Sequence, residues 1–195
     1  MKKTFLIIIS AFAFNGLFAQ ELPKWAKKAR KAVFSVITYN GDNKILNTGN
    51  GFYRDDKGTA ISDYSLFKDA HRAVVVTSDG KELPVTLILG ANDMYDVVRF
   101  RTETSKKQES LTPAASAGAK DEKVYVLPYS TQNSVNVSTG TIQSVDSIPN
   151  NSFYYTLSMK TGMKDVSCPV VNANGEVIGI IQRNSREDSE ESYAL

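Results

Sequence analysis

The sequence predicts an all-β protein, built as a barrel or a sandwich of short strands. Apolar and β-branched runs recur along the chain at a spacing of about ten residues. Clusters of Gly, Asn and Asp, which favour turns, separate these runs. A length of 195 residues, with 42% hydrophobic and 23% charged residues, suits one globular unit or one β-rich unit made of two halves.

The N-terminus has the pattern of a secretory signal peptide. Lys2 and Lys3 form a positive n-region, Phe5–Phe14 is an apolar h-region, and the segment ends at the small residue Ala19. The apolar run is short for a membrane span of ~20 residues, which disfavours the alternative of an uncleaved anchor. We therefore predict a signal peptide over residues 1–19, a periplasmic or secreted protein, and no stable membrane insertion after cleavage.

The first element after the signal peptide is a predicted amphipathic helix over Glu21–Lys31, where Pro23 suits the first turn. We interpret its basic face as a solvated surface, although a face for a membrane or an acidic partner is the alternative. Buried or alternating runs then predict the strands of the first half: Ala32–Tyr39, Lys44–Tyr53, Thr59–Phe67, Ala73–Thr77, Glu82–Leu89 and Asp96–Arg101.

The second half begins with a polar connection over Thr102–Lys123 and ends in a predicted β-hairpin. Asn172–Gly175 is the turn of this hairpin, and Gly179 inside its second strand indicates a close backbone approach or a bulge. The acidic residues 185–195 are predicted to be a linker or the start of a further segment. The predicted strands of this half are Val124–Leu127, Val135–Val145, Phe153–Leu157, Val170–Val171 and Glu176–Ile181.

Composition argues against several classes of function. A formal net charge of +2 does not argue for nucleic-acid binding, which needs a strongly basic face. The single cysteine, Cys168, allows no internal disulfide. One histidine and one cysteine do not make a ready metal site, so we predict no metal and no cofactor.

Three stretches resemble the HtrA/Deg type of trypsin-like serine protease. Residues 169–180 read P-V-V-N-A-N-G-E-V-I-G-I, where that family has a hydrophobic hairpin N-x-x-G-E-V-I-G-I after its motif G-N-S-G-G-P. Residues 49–67 keep the glycines of the segment that carries the family's catalytic histidine, and residues 79–98 resemble the segment with its catalytic aspartate. The resemblance covers roughly residues 32–183 and implies two trypsin-like six-stranded antiparallel β-barrels within residues 20–184.

The catalytic positions depart from this family. The resemblance places Asp96 at the catalytic aspartate, Ser65 at the histidine, and Val166 at the nucleophilic serine. It also places Lys164 at a glycine whose N–H helps form the oxyanion hole. A serine nucleophile needs a neighbouring base and a carboxylate that orients the base. The sequence therefore predicts an inactive peptidase homologue that binds polypeptide or a protein partner, with Asp96 capping backbone amides or bonding Ser65.

Two other functions stay open. An active serine or cysteine endopeptidase would use a rearranged site. Ser167 enters the serine position if the alignment slips by one residue, Cys168 is the other nucleophile, and His71 is the one histidine. We interpret His71 as a surface residue and Cys168 as a buried small side chain. Alternatively, the chain is a structural module of a longer protein whose function lies beyond Leu195. The sequence predicts no oligomeric state.

Overall fold

The protein is described here from a computed structural model. The structure describes residues 22–131, 137–149, 152–183 and 192–195. The predicted signal peptide over residues 1–19 therefore lies outside the described residues. Within the described ranges, no helix is long and apolar enough to cross a membrane.

The first half of the chain forms a closed six-stranded antiparallel barrel in the order β1-β2-β3-β6-β5-β4. Its interior is filled by side chains that alternate along the strands, such as Phe34, Val36, Val75 and Phe100. Five of the six predicted strands of this half are confirmed with shifts of their ends by up to three residues. The sixth, Thr59–Phe67, was predicted too long, because only Thr59–Ser62 pairs with β2 and β6, and Tyr64–Leu66 forms a 3₁₀ turn. The bounds of the six strands are β1 (Val33–Tyr39), β2 (Ile45–Tyr53), β3 (Thr59–Ser62), β4 (Arg72–Val76), β5 (Glu82–Asn92) and β6 (Val97–Thr102).

The second half forms a six-stranded sheet in the order β11-β10-β7-β8-β9-β12. The strands are β7 (Lys123–Val126), β8 (Ser138–Ile148), β9 (Ser152–Leu157), β10 (Pro169–Val171), β11 (Val177–Ile180) and β12 (Ser192–Ala194). Backbone hydrogen bonds join the two edge strands, because the N–H of Gln182 donates to Tyr193 O and Ile180 exchanges two bonds with Leu195. A Cβ at Gly179 would lie 2.8 Å from Leu195 O, which confirms the predicted close approach of backbone at this glycine.

The C-terminal residues include a strand that the sequence pattern did not predict. Ser192–Ala194 is strand β12 and not part of a linker, because it pairs with Tyr155–Leu157 of β9. Ser192 and Ala194 are buried, and Tyr193 stacks on Tyr154 with ring centroids 5.5 Å apart. The acidic residues that suggested a linker, 187–191, lie outside the described residues.

The N-terminal helix is shorter than predicted. It comprises one helical turn, α1 (Ala26–Ala29), followed by the 3₁₀ turn Arg30–Ala32. Trp25 precedes it, donates its indole N–H to Ala173 O at 2.7 Å, and meets the ring of Tyr125 edge-on at 5.4 Å. The anchored indole and the entry of Val33 into the barrel fix both ends of this segment, so no longer helix forms.

The barrel and the second sheet share a hydrophobic core. Val33 and Phe52 of the barrel pack in one cluster with Tyr125, Val171 and Ile180 of the second sheet. Burial of these apolar side chains against each other stabilises the contact between the two halves. The candidate site lies at this junction.

Candidate functional site

The barrel contributes an aspartate–serine pair to the site. Ser65 lies in the 3₁₀ turn Tyr64–Leu66, and Asp96 directly precedes β6 with a left-handed φ of 49°. The backbone N–H of Ser65 donates to Asp96 Oδ1 at 2.6 Å, and its hydroxyl donates to Oδ2 at 2.9 Å. Tyr64 N–H also donates to Asp96 O at 3.2 Å. Both carboxylate oxygens of Asp96 are therefore used to cap this turn, and its partner is a hydroxyl with no capacity to accept a proton near neutral pH.

The second sheet contributes the loop 163–168, which precedes β10 and begins with the 3₁₀ turn Met163–Asp165. Asn50 of β2 holds this loop, because its side-chain amide donates to Lys164 O at 2.9 Å and to Val166 O at 2.8 Å. Asn50 is itself 8% exposed. One buried side chain of the barrel thus fixes the shape of a loop that lies more than a hundred residues later in the sequence.

Val166 presents no nucleophile to the junction. Its side chain is apolar and only 8% exposed. Its backbone N–H donates to Met163 O at 3.4 Å within the 3₁₀ turn. Stabilising a developing oxyanion requires N–H groups directed at that oxygen, and this N–H is directed into the loop.

Comparison with known families agrees with this architecture. Residues 49–180 match the family model described as a trypsin-like peptidase domain, which is more than half of the 195-residue chain.

The chain belongs to the trypsin-like peptidase domain family.

A search of curated proteins found no match to this chain. The family match begins at Gly49, where the first of the three stretches begins, and ends at Ile180, where the last of them ends. It therefore includes Ser65, Asp96 and the whole of loop 163–168.

The alternative nucleophiles of this trypsin-like domain are buried. Ser167 is 1% exposed, and Cys168 is fully buried. Burial raises the pKa of the Cys168 thiol, and the nearby carboxylate of Asp165 raises it further. Thiolate formation is thus strongly disfavoured, whereas a cysteine nucleophile needs a lowered pKa. Ser167 also has a left-handed φ of 65°, at a position where the family motif has glycine.

His71 lies in a surface turn next to β1 and β4. It is exposed in the turn that leads into β4, and its backbone N–H donates to Tyr39 O at 2.8 Å. Its side chain lines a surface groove with residues of β4 and β5, including Ala73 and Leu87. Among the described residues, no hydrogen bond joins its imidazole to Ser65, Asp96 or Ser167.

Sequence reasoning missed one residue of the site, Asp63. This carboxyl group is 2% exposed and lies two residues before Ser65. Burial raises its pKa to about 7, and the negative charge of Asp96 adds to the increase, while the Ser167 hydroxyl and Arg183 oppose it. The available signal was an acidic residue inside the buried run Thr59–Phe67, where a charged side chain needs an explanation.

No metal centre is evident at this site. Across the residues that the structure describes, no three His, Cys, Asp or Glu side chains come together in a way that could hold a metal ion.

Proposed function

We propose that this chain is an exported trypsin-like peptidase homologue of the HtrA type that does not hydrolyse peptides, and that it binds polypeptide or a protein partner at the junction of its two halves. The observation that carries the proposal is the bond between Ser65 and Asp96 at the position of the general base. The hydrogen bonds between the edges of the second sheet support a second barrel, as the HtrA type implies.

Inactivity follows from the chemistry of two positions. Acyl transfer by a serine requires a base that takes the hydroxyl proton and a hydroxyl that reaches the substrate carbonyl. Ser65 supplies no base, and Val166 supplies no hydroxyl. Removal of either group alone from a triad abolishes most of the rate enhancement, so this protein has lost it on both counts.

Polypeptide binding is supported by what the junction retains. Asn50 keeps loop 163–168 in a defined shape without any catalytic group to position. Met163 at the start of this loop is 63% exposed, and a flexible apolar side chain of this kind adapts to varied peptide side chains. A fixed loop with an exposed methionine suits an extended polypeptide.

Activity-based labelling tests the loss of catalysis. We expect the folded chain to remain unlabelled by a fluorophosphonate probe and to leave casein intact. At pH 6, iodoacetamide should label Cys168 only after unfolding, because the thiol is fully buried. The rearranged peptidase would instead be supported by labelling that is lost on unfolding, either of Ser167 by fluorophosphonate or of Cys168 by iodoacetamide.

Fluorescence anisotropy with labelled, carboxymethylated α-lactalbumin tests binding. Met163→Asp should weaken binding at least tenfold, because it replaces the exposed apolar side chain at the start of the loop with a charge. Ile45→Asp is the matched control, since Ile45 is 62% exposed at the far end of β2, and it should bind like the wild type. Absence of saturable binding by the wild type would remove the binding half of the proposal and favour the alternative of a structural module.

A further inference from the structure

A second aspartate–serine pair lies deeper in the junction. Asp63 of the barrel and Ser167 of loop 163–168 are 2% and 1% exposed. Asp63 Oδ1 and Ser167 Oγ are both buried without a hydrogen bond of standard geometry. Asn50 brings the two segments together, because the hydroxyl of Ser62 donates to Asn50 O at 2.5 Å and the amide of Asn50 donates to Val166 O at 2.8 Å. In keeping with this geometry, the Ser167 hydroxyl acts to lower the pKa of Asp63. Two polar atoms that burial would normally require to be bonded thus lie near each other across the contact between the two halves.

Charged and titratable groups from three segments act on this pair. Asp96, before β6, repels a negative charge on Asp63, whereas Arg183, after β11, attracts it. From loop 163–168, the Cys168 thiol is within electrostatic range of both Asp165 and Asp63. Arg183 is itself exposed, so solvent weakens its attraction for Asp63.

The two protonation states of Asp63 make different demands on this junction. A neutral carboxyl group can donate its O–H to Ser167 Oγ and needs no counter-ion. An ionised carboxylate in the same position accepts a bond from the Ser167 hydroxyl, but it keeps a buried charge that water would solvate better. Ionisation therefore favours any movement that lets water reach Asp63.

We propose that Asp63 and Ser167 form a proton-dependent latch, which holds loop 163–168 against the barrel while Asp63 is protonated and releases the loop when Asp63 gives up its proton to solvent. The backbone of Ser167 supports this assignment, because its φ of 65° is a strained conformation for a residue with a Cβ. Release would let that residue relax. A carboxyl pKa of about 7 places the transition near neutral pH.

The latch does not depend on the proposed polypeptide binding. Its moving part is loop 163–168, which also belongs to the proposed binding site, but its readout is access to the protein's single cysteine, Cys168. Failure of α-lactalbumin to bind would leave the latch intact, and failure of the latch would leave binding intact.

Thiol labelling tests the latch in the full chain. The labelling rate of folded protein is divided by the rate of urea-unfolded protein at the same pH, which removes the intrinsic pH dependence of thiol reactivity. We expect this ratio to rise at least tenfold between pH 6 and pH 8.5 in the wild type and to stay constant in Asp63→Asn. Asp42→Asn, an exposed aspartate in the β1–β2 turn, is the matched control and should follow the wild type.

Two results would overturn the proposal. One is a constant ratio in the wild type, and the other is an equal rise in wild type and Asp63→Asn. If Asp63→Asn does not fold, ¹³C NMR titration of the wild-type carboxyl groups decides the question, because an Asp63 pKa near 4 is incompatible with the latch. Ser167→Ala should then move the transition to higher pH, since the lost hydroxyl is a group that lowers the pKa of Asp63.

Discussion

The junction contains two aspartate–serine pairs that differ in burial and in hydrogen bonding. Ser65 is exposed and Asp96 is half-buried, and two hydrogen bonds from Ser65 engage both carboxylate oxygens of Asp96. Asp63 and Ser167 are almost completely buried, and neither Asp63 Oδ1 nor Ser167 Oγ has a hydrogen bond of standard geometry. The first pair caps a turn, whereas burial of the second pair disfavours the ionised form of its aspartate.

The comparison shows that burial, rather than residue type, decides what an aspartate does in this protein. Water and two serine hydrogen bonds support the charge on Asp96. Asp63 has lost water without gaining equivalent partners, so its neutral form is favoured and its pKa rises. The two pairs should therefore respond differently to mutation.

The largest expected effect is on the pH dependence of stability. The pKa of Asp63 is about 7 in the folded protein against 3.8 in the unfolded chain, so the folded state binds the proton more tightly between these values. The free energy of unfolding should therefore fall as the pH rises from about 4 to about 7, by up to ~4 kcal/mol. Asp63→Asn should remove this fall, and urea denaturation at pH 5 and pH 8 measures it.

The exposed Asp42→Asn should retain the wild-type fall, because Asp42 lies in solvent. If Asp63→Asn and Asp42→Asn gave the same difference in stability between the two pH values, Asp63 would be no more stressed than a surface aspartate, and the contrast between the two pairs would disappear.

A smaller effect should separate two substitutions of Ser167. Both Ser167→Gly and Ser167→Ala remove the hydroxyl, but only alanine keeps a Cβ at a φ of 65°. Glycine adopts this conformation without strain, so Ser167→Gly should be more stable than Ser167→Ala by about 1 kcal/mol. Thermal unfolding of the two variants at pH 5 measures the difference. Equal stability would show that the backbone at Ser167 is not strained.

The smallest effect is expected at the exposed pair. Ser65→Ala removes the bond from its hydroxyl to Asp96 Oδ2 but keeps the bond from its backbone N–H. A hydrogen bond open to solvent contributes little, so the loss should be about 0.5 kcal/mol. Urea denaturation gives the value, and a loss above about 2 kcal/mol would mean that this pair is as desolvated as the buried one.

Most of the fold could be predicted because its signals are local. Alternating apolar residues and turn residues identify β1 to β6 and the β10–β11 hairpin without knowledge of their partners. Strand β12 was missed because three residues after an acidic run carry too little pattern, and only pairing with β9 defines them. The helix was predicted too long because the anchoring of Trp25 by Ala173 is a contact across 148 residues.

The part of the site that could be predicted is the part that the sequence motifs align, namely Asp96 and Ser65. Comparison of motifs indicated that Asp96 would face Ser65, and the two residues are hydrogen-bonded. It could not indicate that Asp63 is stressed, because this depends on Ser167 and Arg183, which lie over a hundred residues further along the chain. The carboxyl group of Asp63 loses water because the two halves pack together, and the sequence around Asp63 does not indicate this packing.

The attachment of Trp25 has a spectroscopic consequence. It is the protein's one tryptophan, and its indole bonds to the turn of the β10–β11 hairpin and packs against Tyr125 of β7. Tryptophan emission therefore reports a single place, where the start of the described chain meets the second sheet. Detachment of this segment and labelling of Cys168 are separate optical and chemical signals, so the order in which the two regions come apart can be timed within one sample.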